Sequence, residues 1–388
     1  FHVLRPKEVL PEWLFIIVRS TAFVTEMSEL VQGALYPAVR PSDIRDFTIP
    51  VPPLAEQRRI VAKVEELTAR SRAARVALDE MPTLLEQFRQ SVLASAFRGD
   101  LTADWRAKNP TAEPATVLLD RIRNERRKQW EAKYPKKTYT EPDPVDDSDL
   151  PELPEGWCWA SWNELAEWIT YGFTRPMPHV EAGPRIITAK NVQDGEITFG
   201  GAHRTTTAAF AELSDKDRPK SGDILITKDG TIGRAAIVQD GEPFCINQSV
   251  AVVWMRGCQA NRNYLLRAIQ APFTQSRIAE AAQGMAIQHL SITDFGRFPF
   301  PLAPLAEQDA VVERLNASLT TIGRSRAWCQ DTQADLDQLD QSILAKAFRG
   351  ELVPQDPADE PASVLLERIR SGSTNTKPAA RSVERGRP

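Results

Sequence analysis

The sequence is poor in the residues that build metal and disulfide frameworks. Four cysteines (Cys158, Cys245, Cys258 and Cys329) and four histidines are spread over 388 residues. No C-x-x-C pair occurs, so the thiols read as reduced and cytosolic rather than as a disulfide or zinc scaffold. The scattered histidines suggest no metal cluster. No run approaches the roughly 20 consecutive apolar residues of a membrane span. The chain opens with Phe1, and nothing near it reads as a signal peptide. Charge of neither sign dominates: 48 Lys and Arg against 52 Asp and Glu leave a net −4. A nucleic-acid binder of this composition cannot work by bulk charge and needs a local basic face.

The motifs of catalysis are also missing. No P-loop G-x-x-x-x-G-K-[ST] occurs, which excludes a motor of that kind. No Asn-Pro-Pro-Tyr-type quartet of an amino-methyltransferase is present; Asn109-Pro110 is followed by Thr-Ala. Pro142-Asp143 has no lysine after it before Lys190, so a nuclease signature fails too. There is no Gly-x-Ser-x-Gly elbow. What remains is a chain that is 42% hydrophobic, enough for two or three globular cores and too much for disorder.

An internal repeat organises that chain. Leu54-Ala55-Glu56-Gln57 returns as Leu305-Ala306-Glu307-Gln308, an offset of 251. The same offset carries the eleven residues from Ser91 to Leu101 onto those from Ser342 to Leu352, with eight identities. After a four-residue slip, Pro114-Ala115-Thr116-Val117-Leu118-Leu119 matches Pro361-Ala362-Ser363-Val364-Leu365-Leu366. Upstream, Gln32-Gly33 matches Gln283-Gly284, Asp43 matches Asp294, and Trp13-Leu14-Phe15 aligns with Tyr264-Leu265-Leu266 at the start of a helix. Phe1 then falls in mid-unit, opposite Val252, and the expectation is an N-terminally truncated piece of a longer protein.

The segment after each Leu-Ala-Glu-Gln carries a heptad. The first seam is Ile60, Val64, Leu67, Ser71, Ala74, Leu78, Met81, Leu85, Phe88, Val92, and the second is Val311, Leu315, Ser318, Ile322, Ser325, Cys329, Thr332, Leu336, Leu339, Ile343. Spacings of four and three alternate, which predicts two long helices hiding narrow apolar seams against each other. Prolines 50, 52 and 53 precede the first helix and prolines 299, 301 and 304 the second, while Gly99 and Gly350 end them. Pro82 is expected to kink the first helix or start a new one. At about 44 residues and ~1.5 Å per residue, each helix is roughly 65 Å long.

Between the repeats, residues 114–134 predict a further helix followed by a basic run (Arg121, Arg123, Arg126, Arg127, Lys128, Lys133, Lys136, Lys137), a candidate phosphate contact. A solvated surface helix is the competing reading. An acidic, proline-rich stretch then marks a boundary near residue 150. Residues 151–300 alternate β-rich runs (185–190, 223–227, 234–238, 244–254) with turns and end in two short helices near 261–271 and 273–283. The loops carry polar residues: Lys228-Asp229-Gly230-Thr231-Ile232-Gly233-Arg234, Tyr171 to Pro176, Asn247-Gln248-Ser249, and Gly284 to Ser291 with Gln288-His289. A Gly-rich loop can approach a phosphate backbone closely, and Asn, Gln, Arg and Lys can read base edges. Plain hairpin turns and satisfied core hydrogen bonds are the competing readings.

Two Leu-Ala-Glu-Gln-headed helices, each closing with Ala-Phe-Arg-Gly-[Asp/Glu]-Leu, flank a domain that opens Leu153-Pro154-Glu155-Gly156-Trp157 and contains Gly222-Asp223-Ile224-Leu225 and Asp229-Gly230-Thr231-Ile232-Gly233. This combination resembles the specificity subunit of type I restriction-modification systems. The resemblance implies an α+β architecture: β-rich target recognition domains joined by two long helices in an antiparallel coiled coil. It implies residues 1–50 as the tail of a first recognition domain, 51–150 as a central conserved helical region with linker and 151–300 as the second recognition domain. Residues 301–372 become a distal conserved helical region and 373–388 a disordered tail. It implies a non-catalytic, cytoplasmic subunit that binds one half of a split site in double-stranded DNA. Methyltransferase subunits and a restriction/translocase subunit would be its partners. S-adenosylmethionine, ATP and Mg²⁺ would reside in those partners, with no cofactor and no metal in this chain. Candidate DNA contacts are Thr174, Arg175, Lys190, Asn191, Lys228, Thr231, Arg234, Gln248, Gln288 and His289. Two alternatives stay open: the recognition part of a single-chain restriction enzyme, and a coiled-coil interaction protein without a DNA role.

A 65 Å rod spans roughly two turns of B-DNA at ~34 Å each, so helix length is expected to act as a ruler. Removing whole heptads from both helices should change only the spacer between half-sites, while replacing the recognition loops should change the bases. Mapping of methylated sites checks this; a base preference that follows helix length refutes the ruler.

Overall fold

The computed structural model describes residues 2–31, 38–193, 195–283 and 288–373. Phe1, the repeat members Gln32-Gly33 and Gly284, and residues 374–388 of the expected tail lie outside the described residues. The elements run α1 (Pro11–Val18), α2 (Thr21–Glu29), α3 (Pro41–Asp46), α4 (Leu54–Phe97), α5 (Ala103–Lys108), α6 (Ala115–Lys133), β1 (Cys158–Ser161), α7 (Trp162–Leu165), β2 (Trp168–Tyr171), β3 (Val180–Ile187), β4 (His203–Arg204), α8 (Thr207–Ala211), β5 (Ile224–Thr227), β6 (Ala235–Ile237), β7 (Phe244–Ile246), β8 (Val250–Trp254), α9 (Arg262–Gln270), α10 (Pro272–Ala281), α11 (Ile292–Arg297), β9 (Pro299–Leu302), α12 (Leu305–Arg349) and α13 (Ala362–Ser373). The chain divides into two compact units, residues 1–84 with 324–388, and residues 85–323.

In the first unit, Trp13, Ile16 and Ile17 of α1 join Ile60 and Val64 of α4 and Ile343, Leu344 and Ala347 of α12 in one apolar cluster. Further along, Arg75 of α4 pairs with Asp337 at 2.6 Å and Asp340 at 2.9 Å. Position falls along α12 as it rises along α4, so the two segments run in opposite directions. Pro82 does not break α4 as expected: the helix is continuous from Leu54 to Phe97. Pro82 stands on the exposed face, where water can serve the carbonyl deprived of its donor.

In the second unit, Leu93, Ala96 and Phe97 of α4 share a core with Val311, Val312 and Leu315 of α12, again with the end of one segment against the start of the other. The expected seam needs correction at three positions. Ala74 is exposed, Phe88 is 52% and Leu339 49% exposed, and the buried positions around the last two are Leu85, Leu93, Ile343 and Leu344. A helix of 3.6 residues per turn does not hold a strict 3.5 repeat, so individual heptad positions turn outward.

Two small sheets give the second unit its β character. One is antiparallel with order β2-β8-β5-β6; the other has order β4-β3-β7, with β3 and β7 parallel. A two-stranded pair, β1 with β9, closes near α12. Every residue of β5 and β8 is buried, as their Ile- and Val-rich runs require. The expected single run 244–254 is two strands in different sheets, because Asn247, Gln248 and Ser249 form a turn. Ser249 Oγ donates to Asn247 Oδ1 at 2.6 Å within that turn. Gly172 is what lets the chain pass there: a Cβ on it would lie 1.9 Å from the Ile246 carbonyl oxygen.

The repeat is visible in individual hydrogen bonds. Gln57 Oε1 accepts from Leu10 N (3.0 Å) and its Nε2 donates to Pro52 O (2.9 Å). Gln308 Oε1 accepts from Asn261 N (2.8 Å) and its Nε2 donates to Ala303 O (2.8 Å). Trp13 Nε1 donates to Pro50 O (3.3 Å), as Tyr264 Oη does to Pro301 O (2.7 Å). Donors and acceptors in each pair differ by the same offset of 251.

Each of these glutamines is buried, and its removal strands one backbone N–H and one carbonyl. Gln57→Ala and Gln308→Ala are each expected to lower stability by about 3 kcal/mol, from about 1–3 kcal/mol per unsatisfied group. Urea midpoints check this; a loss below about 0.5 kcal/mol at either position would show that the bonds are dispensable.

Candidate nucleic-acid interface

The loop between β5 and β6 is held rigidly at its base. Thr227 N donates to Arg234 O (2.9 Å), Gly233 N donates to Thr227 O (2.9 Å), and Arg234 N donates to Thr227 Oγ1 (3.0 Å). Gly230 and Gly233 both take φ near +80°, at +78° and +82°, a region that L side chains disfavour. The loop therefore turns tightly and leaves Thr231 exposed at its tip.

Lys228 starts this loop but is buried. Its backbone N–H donates to Ser249 O (3.0 Å), and its carbonyl accepts from Leu290 N (2.8 Å). Its ammonium sits 2.9 Å from Asp229 Oδ2 and 5.0 Å from the Tyr171 ring centroid. Asp229 Oδ1 lies 2.6 Å from His289 Nδ1. Burial pushes the Asp229 carboxyl up, but hydrogen bonds from Lys228 and His289 outweigh it and hold the group below its usual value of 3.8. An ionised carboxylate accepts, so Nδ1 carries the hydrogen and Nε2 of the half-exposed His289 is left for a partner.

These contacts bring four of the candidate residues together. Thr174, Lys228, Gln248 and His289 line one concavity of about 200 Å³, with Tyr171, Leu290 and Ile292. Gln248 is exposed; its backbone N–H donates to Phe173 O at 2.9 Å, which fixes the turn that presents it. Gln288 is exposed, and its carbonyl accepts from Gly230 N at 3.2 Å. The remaining candidates stand apart from the concavity. Arg234 donates to Gln193 Oε1 at 3.3 Å, and Arg175 pairs with Glu212 at 3.2 Å. Lys190 is exposed and has no carboxylate partner among the described residues.

Two expected contributors are engaged within the protein. Asn191 is buried, its Oδ1 accepts from Thr188 N (3.1 Å) and Oγ1 (3.0 Å), and its Nδ2 donates to Thr198 O (3.0 Å). Half of the basic run of α6 and the residues after it is paired with carboxylates. Arg121 pairs with Glu113, Arg123 with Asp120 and Glu164, Arg127 with Glu141, and Lys133 with Glu167, while Arg126 donates to Asn163 O. Lys128, Lys136 and Lys137 remain exposed without carboxylate partners among the described residues.

Asp229 and Tyr171 belong to the loops the sequence marked but were not among its candidate contacts. The adjacent Lys228 was a local signal for Asp229; His289, 60 residues on, was not. Burial pushes the Cys245 thiol up to about 12 and the Cys158 thiol to about 11, so neither is a thiolate near neutral pH. Among the described residues no group of three or more His, Cys, Asp or Glu could hold a metal ion. No described helix is long and apolar enough to cross a membrane.

The family described as "Type I restriction modification DNA specificity domain" matches residues 1–75 and 177–323, more than half of the chain. Among curated proteins, the chain is 24% identical over 381 residues to the type I restriction enzyme EcoDI specificity subunit of Escherichia coli, covering 95% of this chain and 78% of that one. It is 26% identical over 342 residues to the EcoBI specificity subunit of Escherichia coli, covering 84% of this chain and 65% of the relative. The HsdS subunit from Thermoanaerobacter tengcongensis superposes with TM-score 0.54 at 25% identity, over 88% of this chain and 70% of that one. A chain solved under the description "Structural basis underlying complex assembly and conformational transition of the type I R-M system" shares the fold, with TM-score 0.63 at 24% identity over 90% and 74%.

The Asp229 carboxylate, held low in the folded state, contributes stability that is present above the unfolded value near 3.8 and is lost as pH falls through the lower folded value. Asp229→Asn removes that contribution. The stability gap between wild type and variant should be constant above about pH 5 and narrow below about pH 4. Urea midpoints measured from pH 7 to pH 2.5 check this, and a gap that stays constant throughout rejects the carboxylate as the clamp.

Proposed function

The chain belongs to the type I restriction-modification DNA specificity family, and we propose that it is the DNA-reading and scaffold subunit of such a complex, with no catalytic step of its own. The observation that carries this reading is the convergence of Thr174, Lys228, Gln248 and His289, from four separate segments, on one concavity. Its framework is rigid and its rim offers hydroxyl, amide and imidazole groups, the types that discriminate base edges. Residues 151–300 are the recognition domain on this reading, and the tips of 228–234, 248 and 288–289 face the groove. Residues 1–50 belong to a first such domain, and 51–150 and 301–372 are the helical regions that space the domains.

The substrate is double-stranded DNA, of which this domain reads one half of a split site. Lys190, Arg234 and Thr231 at the periphery contact phosphates. The partners are methyltransferase subunits docked on the helical regions and a restriction subunit beyond them, in the cytoplasm. S-adenosylmethionine, ATP and Mg²⁺ belong to those partners.

Two variants separate phosphate contact from base reading. Lys190→Ala should weaken binding to all sequences alike and reduce the salt slope by about 1. Gln248→Ala should cost about 1–3 kcal/mol on the cognate half-site and relax preference at one base position. Filter binding across ionic strength, and mapping of methylated bases after co-expression with a methyltransferase subunit, read these out. A methylation pattern unchanged by joint replacement of residues 228–234, 248, 288 and 289 would end the proposal.

A further inference from the structure

A second cavity of the 85–323 unit shares no residue with the concavity around Lys228. It measures about 400 Å³ and lies between the last turns of α6, with the residues that follow them, and the paired strands β2 and β8. Four aromatic rings line it, Trp130 and Tyr134 from the helix side and Trp168 and Trp254 from the strands. The rings brace one another in pairs. Trp130 meets Tyr134 with centroids 5.4 Å apart, and Trp168 meets Trp254 edge-on at 5.2 Å. Trp168 is 47% and Tyr134 37% exposed, so half of this lining stands open to water. Large rings gathered in the open mark a surface that takes a ligand or partner.

The charge around the rings selects the sign of that ligand. Arg126, Lys133 and Lys137 line the cavity against one carboxylate, Glu167, a surplus of two positive charges. Arg126 donates to Asn163 O, and Lys133 lies 3.7 Å from Glu167. Lys137 is exposed and has no carboxylate partner among the described residues. The rings already hold cations: Lys137 lies 5.0 Å from the Tyr134 centroid, and Lys133 and Arg256 lie 5.9 and 3.7 Å from that of Trp254. A cationic ligand would meet those charges, so the rings are no cage for an ammonium group. The C-terminal dipole of α6 disfavours an anion, but at about half a charge it is outweighed by the two lysines. Trp254 adds a polar demand. It is 4% exposed, and its Nε1–H finds no acceptor among the described residues, which is rare for a buried donor.

We propose that this cavity binds a purine nucleoside monophosphate. A heteroaromatic base stacks on the indoles, and its ring nitrogens are acceptors of the kind the Trp254 N–H lacks. A hydrocarbon ring offers none. A phosphomonoester carries about −1.5 to −2 near neutral pH, which matches the surplus and falls to Lys133 and Lys137. The volume lies near the lower end of small-ligand sites, about 300–1,000 Å³, and suits one nucleotide better than a dinucleotide. The inference does not depend on DNA reading, and sequence-specific binding does not enter its test.

The full chain is titrated by isothermal calorimetry with AMP, GMP, adenosine and inorganic phosphate. Saturable binding of AMP or GMP is expected, about tenfold tighter than that of adenosine or of phosphate alone, because each of these forgoes one half of the contacts. Lys137→Glu, at an exposed position, should weaken the monophosphate about tenfold and leave adenosine unchanged, a split that a misfolded protein cannot give. Trp168→Ala should weaken nucleotide and nucleoside alike by about tenfold, through loss of a stacking surface. Absence of saturable binding up to about 10 mM of either nucleotide overturns the proposal. Adenosine or phosphate binding as tightly as AMP overturns it too, since the lysines or the rings would then contribute nothing. A single-stranded oligonucleotide that binds more tightly than either monophosphate also overturns it, because the cavity would then be a strand contact.

Discussion

A buried carboxamide at the start of each long helix is the constraint from which the rest follows. Gln57 and Gln308 each take a backbone N–H from the residue that leads into a short helix and give an N–H to a carbonyl of the proline-rich approach. Two chain segments are thereby tied to the first turn of a helix of 44 or 45 residues. A buried polar group is tolerated only when its bonds are made, so the glutamine dictates the geometry around it rather than adapting to it. The aromatic residue of the short helix then seals the joint, as Trp13 and Tyr264 do by donating to carbonyls of Pro50 and Pro301. An apolar residue at the glutamine position would fill the volume but leave both backbone groups unmatched.

That constraint explains which features could be read from the chain. The repeat announced itself because its polar members cannot drift: Leu-Ala-Glu-Gln recurs where bonds must be made. The long helices were legible from their seams and from the prolines and glycines at their ends. The seam failed at Ala74, Phe88 and Leu339, where nothing local marks the departure of a 3.6-residue helix from a seven-residue repeat. The basic run on α6 was left open between two readings for a different reason. Several of its neutralising partners, among them Glu141, Glu164 and Glu167, lie between 14 and 41 residues downstream or are set by the fold alone, so window counting sees the cations and misses their acids. Asn191 looked like a reader because its residue type is one. Only the structure shows its amide closing a turn.

The candidate site divides into supports and tips. Lys228 and Asp229 are supports: a desolvated ammonium over Tyr171 and a carboxylate shared with His289 bind the β5–β6 loop to the segment around residue 289. Gln248 and the free edge of His289 are tips. Discrimination between bases needs donors and acceptors fixed within a fraction of an ångström, and short exposed side chains on braced turns meet that need better than long cations on mobile loops. A buried lysine is the stiffer choice for a support because its ammonium has few places to go.

The same division resolves how a chain with net charge −4 can face DNA. Electrostatic attraction at the surface depends on cations left unneutralised within about a Debye length of the phosphates, near 10 Å, and not on the total. Many arginines of the second unit are spent on internal bonds: Arg106 on Glu307, Arg123 on Glu164, Arg314 on Asp104, Arg185 on Glu242. Among the described residues, Lys128, Lys136, Lys137, Lys190 and Lys220 of this unit keep no carboxylate partner, and Lys190 is the one among the candidate contacts. On the proposed reading, discrimination falls to the exposed tips, because phosphate contacts fix position and do not distinguish one base from another.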